Sequence, residues 1–287
     1  MTIDEAYKAL LDPLKNIYES REATTIADWV FESVTGINRL KRLTNKTGEL
    51  DSSKSKLLDK SLRRLMSHEP LQYVLNEAWF FKLKLFVNED VLIPRPETEE
   101  LVEWILDDLK KDGKCQGRNI HLLDIGTGSG CIAIALKKNI PGSIIYSIDI
   151  SEPALRVARQ NAEVHMLKID FLQLNFLDES NWSNLNSYDI IVSNPPYIPE
   201  HEKIKLDKNV VMHEPHLALF VENTDPFIFY KKIIMFASDH LLPGGKIYVE
   251  VHEDYSGEIS DLFLKAGYKP VTKKDLHGRN RMICASR

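Results

Sequence analysis

A stiff polar motif, Asn194-Pro195-Pro196-Tyr197, directly follows an apolar run, residues 188–193, that predicts a buried strand. The carboxamide and the backbone carbonyls are hydrogen-bond acceptors, and the prolines lack an N–H and fix φ, so the motif has a preset shape. Acceptors of this kind can hold a planar –NH2 group, whose delocalised lone pair is otherwise a poor nucleophile. The motif indicates nitrogen attack on an electrophile; the alternative is an ordinary polar turn.

A glycine-rich loop follows a second predicted strand, which begins at residues 121–123. Its glycines permit positive φ and close approach by a ligand, and the helix after it presents free N–H groups. The spacing is G-x-G-x-G, whereas a dinucleotide fingerprint has its third glycine where Cys131 stands, so a nicotinamide or flavin cofactor is disfavoured. The predicted cofactor loop consists of Gly126, Thr127, Gly128, Ser129 and Gly130.

Asp149 closes the next predicted strand, residues 144–148, and can accept hydrogen bonds from both hydroxyls of a ribose. This role is the same for an adenosine and for a dinucleotide, so Asp149 does not distinguish them. Together, the loop and the Asn-Pro-Pro-Tyr motif indicate methyl transfer from S-adenosylmethionine to a nitrogen. A glycine turn that serves packing alone is the simpler alternative for the loop.

The expected chemistry needs positioning more than acid–base catalysis. The side-chain oxygen of Asn194 and the carbonyl of Pro195 can accept the two N–H bonds of the target nitrogen, and Tyr197 can stack on the substrate or face the sulfonium. Because the sulfonium charge disappears as the methyl leaves, no buried anion is needed. Good orientation of the reacting atoms can supply about 7–11 kcal/mol.

Composition excludes several other classes. The chain has 287 residues, a net charge of −5 and three scattered cysteines, Cys115, Cys131 and Cys284, which favour neither a disulfide framework nor a cysteine metal site. We expect a cytoplasmic protein without a secretory signal, a membrane span, a metal ion or stable nucleic-acid binding. The run from His213 to His216 lacks the spacing of a helical metal motif and predicts a loop.

The chain changes character along its length. Residues 1–70 predict a small helical bundle, with one helix start expected at Thr25. Residues 79–87 alternate as a strand, and a turn at residues 88–90 predicts a hairpin with residues 91–93. Helices and strands then alternate, which predicts a parallel sheet whose ligands lie beyond the carboxyl ends of the strands. We expect three parts: helices in 1–70, a hairpin linker in 71–98, and the main domain in 99–287.

On the basis of these motifs, the chain resembles the release factor glutamine methyltransferase family. The resemblance runs from about Pro70 to the C-terminus. Its most specific part is residues 93–99, Ile-Pro-Arg-Pro-Glu-Thr-Glu, since enzymes that methylate DNA adenine also carry the Asn-Pro-Pro-Tyr motif. The other matching segments are residues 70–73, the glycine loop, residues 194–199, Glu214-Pro215 and residues 243–245.

The resemblance implies an α/β fold of the class I S-adenosylmethionine-dependent type, Rossmann-like with a mostly parallel seven-stranded sheet. It implies methylation of the glutamine in the Gly-Gly-Gln loop of class I peptide chain release factors, which the N-terminal helices would dock. By this resemblance, residues 126–130, Asp149 and Phe176 bind the cofactor. Residues 194–197 hold the glutamine amide, and Asn194 also lies near the methyl donor.

Two positions depart from the family pattern. Asn76 stands where the family commonly has glycine, and Asn175-Phe176 replaces a common Asp-Trp pair. Phe176 would stack on the adenine ring, although a core aromatic before a polar turn is the alternative. Two other functions stay open: an amino methyltransferase that acts on nucleic acid, such as an adenine N6 enzyme, and a non-catalytic adenosine-ligand-binding partner of translation factors.

Overall fold

The computed structural model describes residues 1–112 and 119–287, so Cys115 lies outside the described residues. The described chain forms two compact units. The helical unit comprises Met1–Glu77 together with Asp207–His213, and the sheet unit comprises Ala78–Leu206 together with Glu214–Arg287. The chain therefore contributes two separate segments to each unit.

The helical unit contains six helices. The first begins with a capping box in which Thr2 accepts from Glu5 N and Glu5 accepts from Thr2 N. Side chains from four helices, including Leu10, Phe31, Leu65 and Val74, form one buried apolar cluster. The helices are α1 (Ile3–Leu14), α2 (Ser20–Thr35), α3 (Arg39–Thr44), α4 (Ser52–Met66), α5 (Leu71–Leu75) and α9 (Lys208–His213).

The helix start expected at Thr25 is wrong, because α2 begins at Ser20. Within α2, the hydroxyls of Thr24 and Thr25 donate to the carbonyls of Ser20 and Arg21, one turn earlier. A threonine that bonds back to its own helix needs no terminus, so its hydroxyl was misleading as a capping signal.

Asn76 ends α5 in the left-handed conformation, with φ of 53°. Its backbone N–H donates to the carbonyl of Tyr73. Glycine is the residue that adopts this conformation without strain, and asparagine is among the better alternatives. The departure at this position thus keeps the backbone shape that a glycine would provide.

The hairpin at the start of the sheet unit is present, but its turn is not where the sequence predicted it. Strands β1 (Ala78–Phe80) and β2 (Leu83–Leu85) pair antiparallel. The two residues between them, Phe81 and Lys82, both have positive φ, as a two-residue hairpin turn requires. Such a turn usually contains glycine or asparagine, and neither residue is present here. The alternating pattern of residues 79–87 therefore predicted one continuous strand instead of two strands and a turn.

A seven-stranded sheet forms the centre of the sheet unit, in the order β10-β11-β9-β6-β3-β4-β5. The five strands from β9 to β5 pair in parallel, and β11 is antiparallel to both of its neighbours. This confirms the mostly parallel sheet. The strands are β3 (His121–Ile125), β4 (Ile144–Asp149), β5 (Asp170–Gln173), β6 (Tyr188–Ser193), β9 (Leu241–Glu250), β10 (Lys269–Lys274) and β11 (Asn280–Ser286). A separate parallel pair consists of β7 (Ile198–Pro199) and β8 (Phe220–Val221).

Apolar clusters cover both faces of this sheet. Neighbouring residues of a strand point to opposite faces, and accordingly Leu122 and Ile190 belong to one cluster while Leu123 and Ile191 belong to the other. The helices of the sheet unit are α6 (Pro96–Lys111), α7 (Cys131–Asn139), α8 (Glu152–Val164), α10 (His216–Leu219), α11 (Ile228–His240) and α12 (Ser256–Lys265). Across residues 1–112 and 119–287, no helix has both the length and the apolar character needed to cross a bilayer.

Candidate active site

One cavity lies at the carboxyl ends of three adjacent strands. Ile125 of β3 pairs with Ile148 of β4 and with Ser193 of β6. The next residues along the chain, Gly126, Asp149 and Asn194, therefore share one edge of the sheet, and all three line the cavity. Of the residues singled out from the sequence, the cavity is lined by Gly126, Gly128, Asp149, Phe176, Asn194 and Pro196.

The remaining singled-out residues do not line this cavity. Thr127 and Ser129 are buried within the glycine loop, and Gly130 is the N-cap residue of α7. Pro195 is buried and Tyr197 is partly buried. Six of the eleven residues singled out from the sequence therefore line one cavity.

The three glycines of the loop have positive φ: 73° at Gly126, 53° at Gly128 and 81° at Gly130. A Cβ placed on Gly126 or Gly128 would meet no atom within 4 Å, so both backbones are open to a ligand. At Gly130 a Cβ would lie 3.1 Å from Ile134 Cδ1 and 3.2 Å from Ala158 Cβ. The third glycine therefore serves the packing of α7 against α8, as well as its left-handed backbone.

Asp124 lies beneath the loop, where it accepts a 2.7 Å hydrogen bond from the Thr127 hydroxyl. Its other oxygen, Oδ1, is buried without a hydrogen-bond partner. Burial, opposed by the Thr127 hydrogen bond and reinforced by the nearby Asp149, raises the pKa of Asp124 to about 7. The loop therefore rests on a carboxyl group that titrates near neutral pH.

Asp149 is held by backbone donors at both carboxylate oxygens. Gly128 N donates to Oδ2 and Ser151 N donates to Oδ1, each over 2.9 Å. Burial raises the pKa of Asp149, and these N–H groups oppose the rise. Each carboxylate oxygen keeps a further lone pair, so the group can still accept hydrogen bonds from a ligand in the cavity.

Phe176 is largely buried, and its ring packs against Trp182 and Phe236 at centroid distances of 5.4 and 5.5 Å. Its carbonyl accepts from Trp182 Nε1. The neighbouring Asn175 is exposed, and its side-chain oxygen accepts from Leu177 N. Both residues line the cavity, so Phe176 is a core aromatic that also forms part of the wall.

A hydrogen-bonded network fixes the Asn-Pro-Pro-Tyr motif at its two ends. Asn194 Nδ2 donates to Thr98 Oγ1 over 3.1 Å, and Thr98 Oγ1 donates to Glu250 Oε2 over 2.6 Å. The Tyr197 hydroxyl donates to Glu250 Oε1 over 3.0 Å. Glu250 is the last residue of β9, and Thr98 lies in the first turn of α6.

Glu250 is 1 % exposed, and burial raises its pKa, while its hydrogen bonds with Thr98 and Tyr197 lower it. Burial and the neighbouring Glu250 also raise the pKa of Tyr197. Tyr197 therefore stays a neutral hydroxyl that donates to the carboxylate.

Glu214 connects two walls of the cavity. Its Oε1 accepts from Arg95 Nη2 over 2.6 Å, and its Oε2 accepts from Ile93 N over 3.1 Å. Residues 90–92 and residues 215, 217 and 218 line the cavity on either side of these contacts. The run around Glu214 thus provides a structural carboxylate, and Arg95 has its ion-pair partner there.

The sequence alone indicated no role for Thr98 or Glu250, and it placed Asp124 only at the start of the glycine loop. Thr98 stood inside the most specific motif, and Glu250 and Asp124 are carboxylates at or near the carboxyl ends of apolar strands. A buried strand that ends in an acidic residue is the sequence signal for Glu250, as it is for Asp149.

Comparison with known proteins identifies the family of this chain. Residues 102–217 match the family described as Methyltransferase small domain, and residues 5–75 match the PrmC N-terminal domain. A solved methyltransferase from Pyrococcus furiosus is 18% identical to this chain. Its TM-score is 0.51, and the match covers 79% of this chain and 98% of that chain. At that identity the likeness concerns the fold.

Two relatives are much more similar in sequence. The release factor glutamine methyltransferase of Flavobacterium psychrophilum is 39% identical over 284 residues, which are 99% of this chain and 98% of the relative. The protein of that name from Bacteroides thetaiotaomicron is 38% identical over 96% of both chains. The chain belongs to the release factor glutamine methyltransferase family.

Proposed function

We propose that this protein transfers the methyl group of S-adenosylmethionine to the side-chain amide nitrogen of a glutamine in a peptide chain release factor. The glutamine is that of the Gly-Gly-Gln loop of class I release factors, and S-adenosylhomocysteine is the second product. One observation carries the proposal beyond family membership: Asn194 lines the same cavity as Gly126, Gly128 and Asp149. This shared lining supports an amide acceptor and a nucleoside site within one cavity.

The residues present fit the cofactor. Gly126 and Gly128 leave open the space that a Cβ would fill, and Asp149 presents carboxylate oxygens at the end of β4. We assign the methionine part to the loop of residues 126–130, the ribose to Asp149 and the adenine to the wall at Phe176. When bound, S-adenosylmethionine supplies an electrophilic methyl group on a positively charged sulfur.

The chain's own contribution is to hold the target nitrogen. The Asn194 side-chain oxygen and the Pro195 carbonyl accept its two N–H bonds, which directs the nitrogen lone pair toward the methyl group. Pro195 and Pro196 fix the shape of this acceptor pair, since proline restricts φ. Tyr197 closes the motif, with its hydroxyl held by Glu250. The amide nitrogen loses its proton to water after transfer, so no general base is required.

We further propose that the helical unit docks the release factor. Its match to the PrmC N-terminal domain over residues 5–75 supports this role. We expect the reaction to take place in the cytoplasm, because the proposed substrate is a translation factor.

The proposal is tested by incubating the protein with a purified class I release factor and S-adenosylmethionine that carries a labelled methyl group. Peptide mapping should place the label on the glutamine of the Gly-Gly-Gln loop, and a release factor with alanine there should stay unlabelled. Label that appears instead on adenine in DNA or RNA would favour the nucleic-acid enzyme. Cofactor binding without transfer to any substrate would favour the non-catalytic alternative.

Asn194→Ala tests the amide clamp. Turnover should fall about 100-fold or more, as when a preorganised hydrogen-bonding group is removed from an active site. The affinity for S-adenosylmethionine, measured by calorimetry, should stay within a few-fold. Asn184→Ala, at an exposed position of the same unit, is the matched control. Full activity in Asn194→Ala would exclude the clamp.

A further inference from the structure

The hydrogen bonds behind Asn194 have a direction that determines how its carboxamide points. A carboxamide has an oxygen that accepts and an –NH2 that donates, and the two ends are nearly the same size. If the –NH2 end faced the substrate, it would present donors to another –NH2 group. The clamp therefore works in one orientation of the Asn194 side chain only.

Glu250 sets that direction from the far end of the network. Each carboxyl oxygen of Glu250 accepts from a hydroxyl, Oε2 from Thr98 and Oε1 from Tyr197, so the single proton of the Thr98 hydroxyl goes to Glu250. The Thr98 oxygen is then left with lone pairs toward Asn194, and it accepts from Nδ2. The carboxamide oxygen of Asn194 must consequently point away from Thr98.

Both supporting residues are inside the protein and come from different elements. Thr98 is 2 % exposed and Glu250 is 1 % exposed. Their hydrogen bond of 2.6 Å joins residues 152 positions apart in the chain. The second oxygen of Glu250 holds Tyr197, and the Glu250 carbonyl accepts from the Tyr230 hydroxyl. The carboxylate is thus itself fixed in place.

We propose that Thr98 and Glu250 are positioning residues that keep the Asn194 carboxamide oxygen directed at the substrate nitrogen. Neither residue needs to touch the substrate. The inference rests on the proposed function, since it assumes that Asn194 accepts from the target –NH2 group.

The test compares Thr98→Val, which removes the hydroxyl at nearly constant volume, with Thr98→Ser, which keeps it. We expect Thr98→Val to lower kcat by about tenfold, the equivalent of one oriented, buried hydrogen bond. The affinity for S-adenosylmethionine should stay within about twofold. Thr98→Ser should recover kcat to within a few-fold of the original protein. Thr98→Ala gives the same test if the valine is not accommodated.

If the Thr98 hydroxyl served only the stability of the fold, its removal would lower the unfolding midpoint and leave kcat per folded molecule unchanged. Ser143→Ala is the matched control, because the Ser143 hydroxyl is buried and donates to the Ile140 carbonyl over 2.7 Å, within the same unit. This control should lower the unfolding midpoint and leave kcat per folded molecule unchanged. Thr98→Val should lower kcat per folded molecule, with the folded fraction counted by cofactor binding.

Two results would overturn the inference: Thr98→Val with kcat within twofold of the original protein, or Thr98→Ser with the same loss as Thr98→Val. If either result is obtained while the unaltered protein methylates the release factor and Asn194→Ala is inactive, the proposed function is still supported. Failure of the unaltered protein to label any release factor would instead contradict the proposed function itself.

Discussion

The backbone N–H of Gly128 donates a 2.9 Å hydrogen bond to Oδ2 of Asp149, so the second glycine of the loop and the acidic end of β4 hold each other in place. Asp149→Ala removes this contact, the Ser151 contact and the proposed ribose acceptor together. We expect the dissociation constant for S-adenosylmethionine to rise about tenfold or more. Calorimetry measures it, with Asp170→Ala at the exposed start of β5 as control. Unchanged affinity would show that Asp149 is not the ribose acceptor.

Asp124 should make stability depend on pH. Its pKa is about 7 in the folded protein, against the ordinary value of 3.8, because the carboxyl is buried. Folding therefore favours the protonated form. The stabilisation is fully present below the unfolded value and is lost as the pH rises through about 7.

Asp124→Asn cannot ionise, and its side-chain oxygen can still accept from Thr127. Between pH 5 and pH 8 we expect the variant to gain stability relative to the original protein by at least about 1.4 kcal/mol, the free energy of one pKa unit. Urea unfolding at both values measures the difference, with Asp170→Asn as the control for the change of side chain. A difference that does not vary with pH would contradict the raised pKa.

Gly130 and Gly128 should respond differently to alanine. Both have positive φ, which costs an L-residue about 1–2 kcal/mol. Only at Gly130 would the new methyl also crowd Ile134 and Ala158, and overpacking adds about 1–3 kcal/mol. Gly130→Ala should therefore lose more unfolding free energy than Gly128→Ala, whose main effect should be weaker cofactor binding. Equal losses in denaturant unfolding would contradict this division of roles.

Asn76 offers a test of backbone strain in the helical unit. Its φ of 53° suits glycine and asparagine. We expect Asn76→Ala to be less stable than Asn76→Gly by about 1 kcal/mol, because alanine pays the left-handed penalty. Thermal unfolding of the two variants under one condition measures the difference. Equal stability would mean that α5 ends in another conformation.

Much of the sheet could be predicted because its central strands are short apolar runs that end in polar motifs. Residues 121–125, 144–149 and 188–193 are of this kind, and parallel pairing then brings Gly126, Asp149 and Asn194 to one edge. The edge strands β5 and β10 were missed, since their residues are mostly exposed and carry no apolar run.

The buried hydrogen bonds behind the cavity could not be predicted from the sequence in the same way. Thr98 and Glu250 are 152 positions apart, and nothing in either local pattern indicates that their side chains meet. The hairpin turn at Phe81 and Lys82 was hidden for a related reason, because the chain holds two ordinary residues at positive φ there without a glycine to signal it. In both cases the determining interactions are tertiary.

The assignment of Asp207–His213 to the helical unit has a practical consequence for chimeras. Suppose that the N-terminal helices of two relatives are exchanged and that the exchanged segment ends at Glu77. Helix α9 from one parent would then have to fold with helices from the other. The His213 ring, which lies 3.1 Å from the Ser67 carbonyl, is one contact that such a graft would have to match. Specificity swaps should therefore transplant both segments together.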